Sequence, residues 1–134
     1  MTAKIVETIL KYYPETQAVY LFGTYGTFAE RPESDVDIAL LLPHNSRIGN
    51  LQLAKSDCRF ELEELLEKEV DLLNVRKLST VFQKEVVMNG HLIYSRTRHV
   101  VDEFEMLTLS YYQKLNEERA EILEEIQKTR KILS

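Results

Sequence analysis

The decisive stretch runs from Leu21 to Leu42 and reads LFGTYGTFAERPESDVDIALLL. An apolar segment ends in Gly23-Thr24, and ten residues later Asp35-Val36-Asp37 opens a second apolar segment. In a strand, residues i and i+2 share a face, roughly 6.5–7 Å apart. Asp35 and Asp37 therefore project together, and two carboxylates that close repel one another unless a cation lies between them. Glycine lets the backbone approach a ligand closely, and the free N–H groups that open a helix can hold a phosphate. A phosphate cradle facing a carboxylate pair suited to a metal points to nucleotide chemistry. Each part alone also occurs in ordinary turns; the ordered set between two apolar runs carries the specificity.

Working outward, Thr2 can cap a first helix whose Ile5, Val6, Ile9, Leu10 and Tyr13 recur at helical spacing, and Pro14 ends it. Ala18 to Phe22 reads as a short buried strand, and Gly23 to Ala29 as a loop leading into a brief helix. Asp35 to Leu42 reads as the central strand, apolar on both faces beyond Asp37 and so covered on each side. Leu51 to Glu69 reads as one helix, with Leu53, Cys58, Phe60, Leu65 and Leu66 supplying its apolar contacts. Val70 to Val75 is a third strand. Ser79 can cap a helix from Thr80 to Asn89 that Gly90 terminates, and His91 to Tyr94 adds an edge strand. From about Thr97 the chain reads as one long helix. Phe104, Leu107, Tyr111, Leu115, Ile122, Ile126 and Leu133 form a loose stripe on it. A helix of more than 30 residues spans roughly 45 Å, which exceeds the width of so small a core. Part of the stripe is therefore expected to meet another protein or a second copy.

Composition narrows the function classes. The chain has 134 residues, 44% hydrophobic and 29% charged, which suits one soluble domain with an appended element. No apolar run approaches the roughly 20 residues of a membrane helix, and the start, MTAKIVETILKYY, lacks the features of a signal peptide. A single cysteine, Cys58, excludes an internal disulfide and fits a reducing cytoplasm. The net charge of -5 argues against broad nucleic-acid binding, because the phosphate backbone would repel most of the surface. A small nucleotide held by metal remains compatible with it. His44, His91 and His99 show no metal-ligand spacing, and Cys58 reads as a small core residue.

The ordered set resembles the G[ST]-x10-D-x-D signature of the polymerase β-like nucleotidyltransferases, with Gly23, Thr24, Asp35 and Asp37 in the matching positions. Asp71, inside the third strand, needs a partner or metal to offset its desolvation unless it sits at the strand's exposed beginning. Its place after the central strand and one helix matches the third acidic residue of that superfamily. The resemblance makes Asp35, Asp37 and Asp71 both the catalytic carboxylates and the ligands of Mg²⁺, expected as two ions. Gly23 and Thr24 are then the phosphate contacts of ATP, and Asp71 helps to deprotonate the attacking hydroxyl. Ser34 shapes the turn before the pair.

Small size leaves no room for the nucleic-acid-gripping domains of polymerases. Residues 1–97 are similar to the minimal nucleotidyltransferase (MNT) family, with residues 98–134 as a C-terminal helical extension. The resemblance implies an α+β fold, a small mixed sheet flanked by helices. It also implies an antitoxin that transfers AMP from ATP to a tyrosine of a HEPN-domain ribonuclease toxin, in some cases several AMP units. The expected partners are that toxin, as a hetero-oligomer, and ATP, with no membrane and no direct nucleic-acid substrate. Two other readings stay open: a non-catalytic antitoxin acting by binding alone, and transfer to a small-molecule hydroxyl such as an aminoglycoside. One departure stands out. Many family members follow the Gly-Ser pair with an arginine, whereas this chain has Gly23-Thr24-Tyr25-Gly26-Thr27, leaving triphosphate charge to metal or to another base such as Arg76.

Overall fold

The computed structural model describes residues 1–23 and 35–133, the last three by their backbone alone. In chain order the described elements are α1 (Thr2–Tyr12), β1 (Ala18–Phe22), β2 (Val36–Leu41), α2 (Asn50–Ala54) and α3 (Asp57–Leu66). They continue with β3 (Val70–Asn74), a 3-10 turn (Val75–Lys77), α4 (Thr80–Asn89), β4 (His91–Ser95) and α5 (Arg98–Leu133). The sheet order is β3-β2-β1-β4. β1 runs antiparallel to both β2 and β4, while β2 and β3 are parallel. A parallel pair needs a long crossover, and α2 with α3 supplies it.

Strand alternation splits the core in two. Val19, Leu21, Val36, Ile38, Leu40, Val70 and Leu72 meet Ile5 and Ile9 of α1 and Cys58 and Leu62 of α3. On the other face Ala18, Tyr20, Ala39 and Leu41 meet Val86 of α4 and Val101 and Phe104 of α5. Each fully buried Leu or Ile contributes roughly 1.5–3 kcal/mol. The expected mixed sheet flanked by helices is what forms, and no helix among the described residues is long and apolar enough to cross a membrane.

Local readings differ in informative ways. Thr2 lies inside α1; Met1 holds the cap position, with no side-chain capping bond. The single helix expected over 51–69 is two, because Ser56 interrupts it. The Ser56 hydroxyl accepts from the Arg59 N–H at 3.2 Å and so starts a new helix. Phe60, expected in the core, is 50% exposed, since the buried face of α3 carries Cys58 and Leu62. The Ser79 cap forms as read, accepting from the Phe82 N–H. Gly90 ends α4 with φ −79, so no left-handed turn is involved. Glycine serves there because a Cβ would run into the Val86 and Leu21 carbonyl oxygens.

The long helix α5 spans 36 residues, about 54 Å at 1.5 Å per residue. Val101, Phe104 and Thr108 seat its first third in the core, and the buried Tyr20 hydroxyl donates to Glu105 Oε1 at 2.9 Å. Beyond that the stripe leaves the core: Tyr111 and Ile122 are each 59% exposed and Ile126 43%.

Side chains cap the outer edge of β3 at both ends. Val70 donates its N–H to Glu63 Oε2 and accepts from Arg59 Nε, and the Asn74 N–H goes to Asn50 Oδ1. Such capping blunts an edge that would otherwise invite another strand.

Candidate active site

The site lies where β1 ends and β2 and β3 begin. Asp37 is the antiparallel register partner of Phe22 on one side and the parallel partner of Asp71 on the other. Register partners share a face, so Phe22, Asp37 and Asp71 form a row across three strands spaced about 4.8 Å apart. That face is the one covered by α4 and α5, since Ala39, two residues past Asp37, belongs to their core. Asp35, exposed, immediately precedes β2.

Burial, the charge of Asp71 and a hydrogen bond with the Asp71 carboxyl raise the Asp37 carboxyl to about 6, with a smaller contribution from Asp35. A hydrogen bond between two carboxyls requires that one carry a proton. Above pH 6 the pair is an uncompensated cluster of negative charge, the condition a cation relieves. All the donors are carboxylate oxygens, which suits a hard ion such as Mg²⁺. The third carboxylate is less closely bound in: Asp35 acts on Asp37 through space. Among the described residues no three His, Cys, Asp or Glu side chains are gathered into a metal-holding group. The structure thus brings Asp37 and Asp71 together and leaves Asp35 at the mouth.

Gly23 completes the arrangement. Its φ of +81 lies in the left-handed region, where a side chain is disfavoured. A Cβ at Gly23 would also land on Asp37 Oδ2. The backbone that would hold phosphate and the carboxylate that would hold metal are therefore in contact only because residue 23 has no side chain. Thr24, Ser34 and the loop with its brief helix fall outside the described residues.

Arg76, named above as a base for the triphosphate charge, lies at the other end of the sheet. It lies in the 3-10 turn past the far end of β3, and the strand from Asp71 to Asn74 alone covers about 10 Å. There its guanidinium donates to the Leu42 carbonyl at 2.6 Å and to Gln17 Oε1 at 2.9 Å. It also meets His44 Nε2 at 2.9 Å and stacks over the Phe104 ring. It ties together the segments flanking β1, β2 and β3 away from the carboxylates, in a cleft of about 270 Å³ also lined by Thr108 and Tyr111. Sequence reasoning also missed Phe82 of α4, whose ring meets that of Phe22, the register partner of Asp37.

The raised Asp37 carboxyl has a stability consequence. Unfolded, the group releases its proton near 3.9; folded, it holds it to about 6. The folded state binds more protons in that window, so metal-free stability falls as pH rises from about 4 to about 6 and stays lower above. Asp37→Asn removes this penalty. The variant should be more stable than wild type at pH 7, by on the order of 1–2 kcal/mol after allowance for solvent screening, and melt no differently from it at pH 4. Thermal melts in EDTA check this, and a lower-melting variant at pH 7 would refute it.

Residues 4–99 match the family described as polymerase beta, nucleotidyltransferase. The protein adenylyltransferase MntA of Shewanella oneidensis is 32% identical over 124 residues, covering 92% of this chain and 85% of that protein. A crystal structure of a toxin–antitoxin with AMP-PNP superposes with a TM-score of 0.78 at 31% identity, over 94% of this chain and 98% of that one. A tri-AMPylated Shewanella oneidensis HEPN toxin in complex with its MNT antitoxin gives a TM-score of 0.73 at 30% identity, over 94% and 95%.

Proposed function

Because the chain belongs to the polymerase β nucleotidyltransferase family, we propose that it is an antitoxin that transfers AMP from ATP to a tyrosine of a HEPN-domain toxin. The observation that carries this reading is the Asp37–Asp71 pair held against the side-chain-free Gly23. The same chemistry is named for a relative that matches 92% of the chain. Relatives bound to AMP-PNP and to a tri-AMPylated HEPN toxin supply the nucleotide and the acceptor class.

In this reading the tyrosine oxygen attacks the α-phosphorus of ATP. The bond from that phosphorus to the oxygen bridging the α- and β-phosphates breaks, and pyrophosphate departs. Asp71, on the flank of Asp37 away from Gly23, takes the phenolic proton. The Gly23 backbone and the Thr24 hydroxyl hold the outer phosphates. Asp37 and Asp71, with Asp35 beside them, would hold Mg²⁺, two ions in our reading. When bound, the metal neutralises charge on the leaving pyrophosphate. No covalent enzyme intermediate is required. Residues 1–97 carry the chemistry and 98–134 extend it toward the partner; a cytoplasmic setting suits the buried, free Cys58.

The test is intact-mass measurement of a co-expressed HEPN toxin, which should gain one or more AMP units, each less a water. An unmodified toxin in the presence of ATP and Mg²⁺ would sink the reading. The exposed outer half of α5 favours a second one, neutralisation by binding alone. In that case a chain lacking both Asp35 and Asp37 carboxylates still protects cells, while truncation after Leu115, beyond the buried Thr108, does not.

A further inference from the structure

We propose that Phe22 and Phe82 form an aromatic corner that stacks the purine ring of the nucleotide, an inference that rests on the adenylyl-transfer reading of the carboxylate site. Phe22 is the last residue of β1, next to Gly23 in sequence and next to Asp37 in register. Its ring meets that of Phe82 at 5.7 Å between centroids and 89° between planes. Edge-to-face geometry is a favoured contact between aromatic rings, and it does not consume both faces of either. Phe82 is held in place by its own backbone, whose N–H is bound by the Ser79 hydroxyl at 3.2 Å, yet 41% of the residue stays exposed.

The row Phe22–Asp37–Asp71 assigns the two flanks. Asp71, on the β3 side, is where the acceptor hydroxyl gives up its proton. Phe22, on the β1 side, adjoins the glycine that holds the phosphates. An aromatic surface on the phosphate side of the metal-binding carboxylate faces the nucleotide and not the acceptor. Every nucleobase has a π-face, so a ring platform needs no hydrogen-bonding motif. That explains how a base can be bound where the sequence carries no base-reading signature.

The test is titration calorimetry of the full chain with ATP and with inorganic tripolyphosphate, both with Mg²⁺, for wild type, Phe82→Leu and Phe82→Tyr. Leucine keeps apolar volume and removes the ring; tyrosine restores a ring. Stacking by one ring corresponds to roughly a tenfold change in affinity. Phe82→Leu should weaken ATP about tenfold, leave tripolyphosphate unchanged and be rescued by Phe82→Tyr. Unchanged ATP affinity in Phe82→Leu would overturn the platform. So would a loss shared equally by tripolyphosphate. A wild-type chain that bound neither ligand would instead remove the adenylyl-transfer reading beneath it.

Discussion

Asp35→Asn combined with Asp37→Asn should abolish AMP transfer to the toxin, lowering the rate by at least about three orders of magnitude. Asparagine preserves size and keeps one oxygen acceptor, but it carries no charge and binds a hard cation poorly. The fold should survive intact. Val36 and Ile38, the apolar residues flanking Asp37, are fully buried and untouched. The charged form of Asp37 is itself disfavoured by burial and by Asp71. The diagnostic is therefore the combination: no added mass on the co-expressed toxin, with a melting temperature at or above wild type at pH 7. A toxin modified at the wild-type level would remove these carboxylates from the mechanism.

Gly23→Ala should be nearly as damaging with a single methyl group. Positive φ costs an alanine roughly 1–2 kcal/mol, and the new Cβ would meet Asp37 Oδ2. Either the carboxylate or the backbone must give way, and each is half of the proposed site. A displacement of about 1 Å at a reacting centre can cost on the order of a hundredfold, the loss expected in kcat/KM. Gly49→Ala is the control, because nothing lies within 4 Å of its Cβ and its φ of −93 suits any residue. Single-turnover transfer assays on both variants check the contrast. Equal activity would mean that Gly23 merely turns the chain.

Much of this was legible before the structure, for identifiable reasons. The segments around Gly23 and Asp37 are short apolar runs bounded by turn residues, and they form β1 and β2 within a residue or so of the expected limits. Ser79 announced α4 because a hydroxyl just before a helix has one obvious use. Ser56 has the same chemistry, but it sits inside a continuous apolar periodicity and so read as mid-helix. Arg76 was not placed by the sequence, because β3 carries the chain from Asp71 to the far end of the sheet before the turn that holds it. The contact between Phe22 and Phe82 could not be read at all. It depends on how α4 crosses the sheet, and no local pattern encodes that crossing. Thr24 remains a reading of the sequence, since it lies outside the described residues.

The capped ends of the outer edge of β3 have a consequence for the form in which an acceptor can be presented. Many enzymes that modify proteins seize an extended tail and zip it onto a sheet, which obliges the target to unfold there or to carry a disordered segment. Here a fifth strand beside Asp71 would first have to strip Glu63, Arg59 and Asn50 from the main-chain groups they occupy. Asp71 is itself exposed, so a tyrosine can reach it without pairing with the strand edge, and that approach asks nothing of its neighbours' conformation. An acceptor can therefore be presented in its folded state, without first being unravelled.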